Sequence, residues 1–383
     1  MKKILIIIGI IIVILSCSKK DNMVGFNILN QPKKLTINNN IVKYKTIEDT
    51  IRNYSENDIL LVGKWNNREI RTLVKFNNLP DSVSNVSKSV IIFAILGNNN
   101  FNEDAIELGR LTSNWNENET TWTKAYTDTL WDEEGADFTS LQVDSINIKD
   151  DSLYIKIPTD SVEYWINNQI EFSIILTYSS GEDSTFLQLQ SSEGDIKPTL
   201  QLQYAVDDTS ESMEKNPSQD SFIMDNKNSL SFSDNIKISN LIPTQSLIKL
   251  EISDTLFEMT EEELLYITIN KAELILTKKE GELFSESINI FPYNLKASYD
   301  WSSQPNIGED YEILAKTVSS TLSNDSDTLR LDITPLVQAW TSNKFDNNGF
   351  LIKSTSCNKD LSYVVFDTTN SRFEVTYTPK MLK

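Results

Sequence analysis

Short segments of alternating apolar and polar residues run along almost the whole chain, and they limit it to β-structure. Leu153-Tyr154-Ile155-Lys156-Ile157 and Leu200-Gln201-Leu202-Gln203-Tyr204 have period two, which places successive side chains on opposite faces of a strand. Clusters of Asn, Asp and Ser punctuate these segments. The alternation fits antiparallel sheets with one face packed and one in water. Helical periodicity is brief. The best candidate away from the repeat described below, Thr260 to Leu265, is short and acidic.

The strand pattern is written twice. Arg71-Thr72-Leu73-Val74-Lys75-Phe76 matches Gln245-Ser246-Leu247-Ile248-Lys249-Leu250, and Lys88 to Phe93 matches Lys271 to Leu276. Asp151-Ser152-Leu153 followed by Val162-Glu163-Tyr164-Trp165 matches Asp327-Thr328-Leu329 followed by Val337-Gln338-Ala339-Trp340. The segment ending at Tyr204 matches the one ending at Tyr377. Four matches in one order at nearly one offset indicate tandem copies. The expected organisation is therefore all-β: two tandem antiparallel jelly-roll-like β-sandwiches, over 26–205 and 222–383. The polar stretch Val206 to Ser221 is expected as an exposed linker.

Within each copy a strand runs into a short helix. Thr334 is suited to the N-cap and Pro335 to the first helical position, and Thr159 takes the cap position in the first copy. Val162 with Trp165, and Val337 with Trp340, are three residues apart and so share a helical face. They are expected to plug one end of each sandwich as structural core.

The first residues, MKKILIIIGIIIVILSC, join a basic start to an apolar run of about 12 residues, short of the ~20 needed to span a bilayer. Ile14-Leu15-Ser16 before Cys17 looks like the lipobox of bacterial lipoproteins. This predicts a signal peptide over 1–16, acylation of Cys17 and a tether over 17–25. The body of the chain then lies outside the cytoplasm, at the outer membrane or cell surface. With only two cysteines, a disulfide scaffold is excluded, and Cys357 is expected to be a silent thiol.

Composition removes whole chemistries. There is no histidine, so Ser-His-Asp and Cys-His nucleophile pairs and His-ligated zinc are absent. The 35 Lys+Arg against 55 Asp+Glu give a formal charge of −20, the wrong sign for nucleic acid. No phosphate-loop signature is present. Carboxylate pairs for glycoside hydrolysis leave no readable signature, and the chain is read as non-catalytic.

In order, the motifs are R-x-L-V-x-F with Leu79-Pro80, Thr121-Trp122, Asp332 to Trp340, Asn348-Gly349-Phe350-Leu351-Ile352 and Pro198 to Tyr204. Together they resemble the DNRLRE domain family, a bacterial extracellular β-sandwich module related to one family of carbohydrate-binding modules. The first copy departs from that pattern with Asn168-Gln169-Ile170-Glu171-Phe172. The second lacks the arginine and has Asp300-Trp301 in place of Thr-Trp. The resemblance implies a jelly-roll-like sandwich and extracellular binding or adhesion.

Carbohydrate recognition combines aromatic faces with carboxylates and amides. The first copy concentrates these between Trp115 and Trp131. Tyr126 and Trp131, with Asp128 beside them, are the binding candidates, and Trp122 is assigned to the core. The negative charge favours neutral glycans, or acidic ones bridged by Ca²⁺. No cofactor is called for, although Asp132-Glu133-Glu134, Asp150-Asp151, and Asp325 with Asp327 leave room for a structural Ca²⁺. Two functions stand at this point: binding of extracellular polysaccharide through first-copy loops, or a structural spacer or protein-adhesion role with no small ligand.

Overall fold

A computed structural model describes residues 31–48, 53–65, 67–179, 184–207, 209–225, 235–241, 244–282, 287–298, 301, 310–355 and 361–380. The leader, Cys17, the tether and Cys357 lie outside these residues. Strands take 55% of the chain and helices 9%, so the fold is all-β.

The chain opens with β1 (Lys33–Asn38) and β2 (Ile41–Glu48), followed by β3 (Ile59–Trp65), β4 (Arg68–Phe76), β5 (Asn85–Asn99) and β6 (Ile106–Leu111). A cap carrying β7 (Lys124–Tyr126) and β8 (Thr129–Leu130) comes next, closed by β9 (Phe138–Leu141). Then come β10 (Ser145–Lys149), β11 (Ser152–Lys156), a helix (Thr159–Asn167), β12 (Phe172–Tyr178), β13 (Thr185–Gln190) and β14 (Thr199–Val206). After these run β15 (Thr209–Lys215), β16 (Gln219–Met224), β17 (Ile236–Ser239) and β18 (Thr244–Leu250). Two one-turn helices precede β19 (Thr268–Glu282), β20 (Ser287–Leu295), β21 (Tyr311–Glu312), β22 (Ser320–Ser323) and β23 (Thr328–Asp332). A helix (Thr334–Thr341), β24 (Phe350–Ser354) and β25 (Tyr363–Thr378) finish the chain.

All pairings are antiparallel, and they form two sandwiches. In the first, β11, β5, β14 and β15 build one sheet, while β16, β4, β12, β6 and β9 build the other. In the second, β23, β19, β25 and β1 face β2, β18, β24 and β20. Each encloses one large apolar cluster. Val74, Phe93, Ile155 and Leu202 belong to the first, and Ile248, Leu274, Leu331 and Phe373 to the second.

Both expected domain boundaries need correction. The stretch 206–221 is not a linker: β15 pairs with β14 from Leu200↔Lys215 to Val206↔Thr209, and β16 pairs with β4. Residues 33–48 do not belong to the first sandwich. β1 pairs with β25 from Lys33↔Tyr377 to Asn38↔Arg372, and β2 pairs with β18. The first sandwich therefore spans 53–225 and is inserted into the second. The two meet where Tyr54 stacks on Phe222 at 4.1 Å and its hydroxyl donates to Leu241 O at 3.1 Å. Trp65 also meets Tyr363 edge-on at 5.9 Å. Burial of this apolar seam joins the sandwiches.

The helices fall where the V-x-x-W spacing puts them, with Val162, Trp165, Val337 and Trp340 all buried. Their starts differ from expectation. Thr159 and Thr334 are the first helical residues, and neither side chain caps. Thr334 Oγ1 instead accepts from Ala272 N of β19 at 2.8 Å, while Asp332 Oδ1 takes the Thr334 N–H at 2.9 Å. Docking to the sheet has displaced the local cap.

A further apolar cluster lies on the outer face of the first sandwich. Leu73, Ile175 and Ile223 point away from the main core and are covered by Trp115, Trp122 and Trp131 of the cap. This explains why every residue of β12 is buried: Phe172, Ile174 and Leu176 face inward, Ile175 faces the cap, and Ser173 Oγ accepts from Trp115 Nε1 at 2.8 Å. Arg71 pins the cap down. Its Nη1 donates to Gly135 O at 2.6 Å, Nε pairs with Glu69 at 2.7 Å, and the guanidinium lies 4.8 Å from the Trp122 ring. Gly135, at φ 90°, has no room for a Cβ, which would fall 2.7 Å from Arg71 Nη1. Arg71→Met is therefore expected to cost about 2–4 kcal/mol through the lost charged hydrogen bond and cation–π contact. A lower urea midpoint with red-shifted tryptophan emission is the expected readout, and an unchanged midpoint contradicts this role.

Candidate functional site

The cap that buries the tryptophans leaves a cleft of about 360 Å³ between itself and the sheet. Tyr126, at the end of β7, is 38% exposed and lines it. Asn114 and Asn116 reach it from the loop after β6, Glu119 from the cap, Lys75 from β4 and Gln219 from β16. Trp115 lies at its floor, buried, with its indole N–H already donated to Ser173.

The polar groups are held by bonds within the protein. Lys75 is ion-paired with Glu171 and donates to Asn114 Oδ1 at 3.1 Å, which also accepts from Trp115 N. Asn116 Oδ1 accepts from Asn118 N at 2.9 Å. Glu119 accepts from Thr127 N, and that bond holds its carboxyl below the usual carboxylate range. Gln219 Oε1 differs: it is buried and has no hydrogen-bond partner. With almost no accessible surface, that oxygen is closed off from the cleft.

The candidates read from sequence separate here. Tyr126 lines the cleft. Asp128 is exposed in the left-handed turn between β7 and β8, φ 63°, and is not among the lining residues. Trp131 requires correction as a binding residue: it is 5% exposed, and its Nε1 donates to Thr121 O at 2.9 Å. Its ring is spent on the cap's own core. Trp122, assigned to the core, is 4% exposed. Sequence reading passed over Lys75, Asn114 and Gln219. Gln219 fell in the supposed linker, and no local spacing relates it to residue 126.

One of the acidic clusters forms a turn. Asp150 and Asp151, at φ 49° and 53°, form the two-residue turn of the β10–β11 hairpin. Among the described residues no group of three or more acidic or sulfur ligands is placed to hold a metal ion. A second cleft, about 220 Å³, lies beside Lys296, Lys344 and Phe345 at the matching end of the second sandwich. It presents no exposed aromatic face, since Phe345 is partly buried with Lys344 Nζ 5.4 Å from its ring.

On β16, next to Gln219, Asp220 is 1% exposed. Its Oδ2 accepts from Ser192 N at 2.8 Å, Oδ1 has no partner, and its backbone N–H donates to Glu117 Oε2 at 3.1 Å. Burial pushes the Asp220 carboxyl up to about 7, and the charge of Glu193 adds to the shift. Burial also raises Glu117.

No protein-family model matches the sequence, and no curated protein matches it either.

The folded state thus binds a proton at Asp220 more tightly than the unfolded chain does. Stability falls as pH rises from about 4 toward 7 and levels off above that. Asp220→Asn is expected to remove this slope and to be the more stable form at pH 8. Thermal melts at pH 5 and pH 8 check it, and parallel pH profiles for the two forms contradict it.

Proposed function

We propose that this chain is a non-catalytic envelope lipoprotein whose first sandwich binds extracellular carbohydrate through the Tyr126 cleft. The observation that carries the reading is the pairing, in one cleft, of the exposed Tyr126 ring with the amide and carboxylate side chains of Asn116 and Glu119. A sugar supplies both complements. Its C–H face packs on the ring, and its hydroxyls donate to Asn116 and Glu119. The net charge of −20 directs the choice to neutral glycans, or to acidic ones bridged by Ca²⁺. The resemblance to DNRLRE domains supports the same class.

In this reading Cys17 carries the lipid, and residues 18–32 join the membrane to β1. The apolar run ending at the Cys17 lipobox supports an outer-membrane or cell-surface location. Among the described residues no helix is long and apolar enough to cross a membrane.

A second reading has its own support. Six tryptophans, at positions 65, 115, 122, 131, 165 and 340, are buried, and Trp301 is partly so. An extended platform of coplanar rings, as long-chain glycan binding uses, is missing among the described residues. That favours a spacer or protein-adhesion lipoprotein.

A glycan array probed with the soluble chain, with and without Ca²⁺, separates the two. Binding that drops at least tenfold in Tyr126→Ala, whose ring is exposed and so replaceable without unfolding, is the expected result. Binding equal in both proteins moves the site elsewhere. Absence of binding under both conditions leaves the spacer role.

A further inference from the structure

Each sequence repeat begins with two strands that do not pair with one another but edge opposite sheets of one sandwich, forming an arch. In the first repeat the arch is β1–β2, followed by residues 49–58 before β3. In the second it is β15–β16, followed by residues 225–235 before β17. The two connections are of nearly equal length, yet neither arch docks on the sandwich it leads into. β15–β16 closes the first sandwich on β14 and β4, and β1–β2 closes the second on β25 and β18.

The docking is equivalent in register. Thr72 faces Phe222 where its counterpart Ser246 faces Thr46, and Lys75 faces Gln219 where Lys249 faces Lys43. The closed chain is therefore a reciprocal exchange of arches between two repeats. Each acceptor edge takes an arch from another repeat by backbone pairing, which is indifferent to whether the donor belongs to the same chain.

The arches differ in how firmly they are held. In β16, Phe222, Ile223 and Met224 are fully buried, serving the seam between sandwiches and the cluster under the cap. In β1, Lys33, Lys34, Thr36 and Asn38 are exposed, and the arch's apolar side chains Leu35, Ile37, Ile41, Tyr44 and Ile47 pack on the second sandwich only half-buried. β15–β16 is also joined to described strands at both ends, to β14 before it and to β17 after it.

We propose that β1–β2 is an exchangeable arch through which the protein associates with itself, the arch of one copy closing the second sandwich of another. Reciprocal exchange fills the β25 and β18 edges of both copies, so the product is a closed dimer. Within one chain the competing closure is favoured only by effective concentration, so the dimer share rises with protein concentration.

The test uses the full soluble chain with both native cysteines replaced by serine. Thr36 and Glu374 are partners across β1 and β25. Chains carrying Thr36→Cys are mixed with chains carrying Glu374→Cys, unfolded together, refolded at high concentration and oxidised. Mixtures of Thr36→Cys with Asp160→Cys, on the helix of the first sandwich, give the random cross-linking baseline. The proposal predicts disulfide-linked heterodimer at ten times that baseline or more. A yield equal to the baseline overturns it, provided the double variant Thr36→Cys/Glu374→Cys closes within one chain. Failure of that double variant to close within a chain or between chains also overturns it, by removing the β1–β25 pairing itself.

Discussion

The pairing of β1 with β25 and of β2 with β18 is the constraint on which the rest of the architecture depends. A sandwich is stable only when the edges of both sheets are paired, covered or otherwise protected, and here the strands that finish the second sandwich lie at the opposite end of the sequence. That placement makes the second sandwich discontinuous, over 31–48 and 235–380, with the first inserted between its parts. It brings the strands leaving and entering each sandwich to one seam, where Tyr54, Phe222 and Leu241 pack together. The order of folding follows from the same constraint. The first sandwich has all its strands once residue 225 is made, whereas the second needs contacts between residues more than 300 apart, whose loop-closure cost is met last.

On the first sandwich the second constraint is the cap. An outer sheet face bearing Leu73, Ile175 and Ile223 has to be covered, and the cap covers it with three indoles. The residues that most suggested a binding platform are thereby used as core. What remains for recognition is smaller: one tyrosine ring, two asparagines and the Glu119 carboxylate. Such a site suits a short stretch of sugar better than a long chain laid across a flat surface.

Much of the fold was legible. The period-two segments became strands, the repeats became sandwiches, and V-x-x-W became a buried helical face in both copies, because burial on one face of an element imposes a local period on sequence. The arches were not legible for the opposite reason. β15 has its side chains mostly exposed, so its composition reads as a linker, and nothing local in Lys33 to Glu48 states which sandwich's edge it will fill. The cleft was half legible. Tyr126 stood out as one aromatic among polar residues, but Lys75 and Gln219 reach it through sheet pairing across more than 140 residues, a relation that spacing does not encode. Trp131 misled because aromatic residues among acids signal a cap's private core as readily as a glycan surface.

The measurement that bears most directly on this account is amide hydrogen exchange along the intact chain. Closure of the second sandwich by the N-terminal arch predicts protection of alternate amides in 33–48, matched by protection of 372–377, and slower exchange still in 219–224. Exchange of 33–48 at the rate of an unstructured peptide, with 372–377 protected only on the side facing β19, contradicts it.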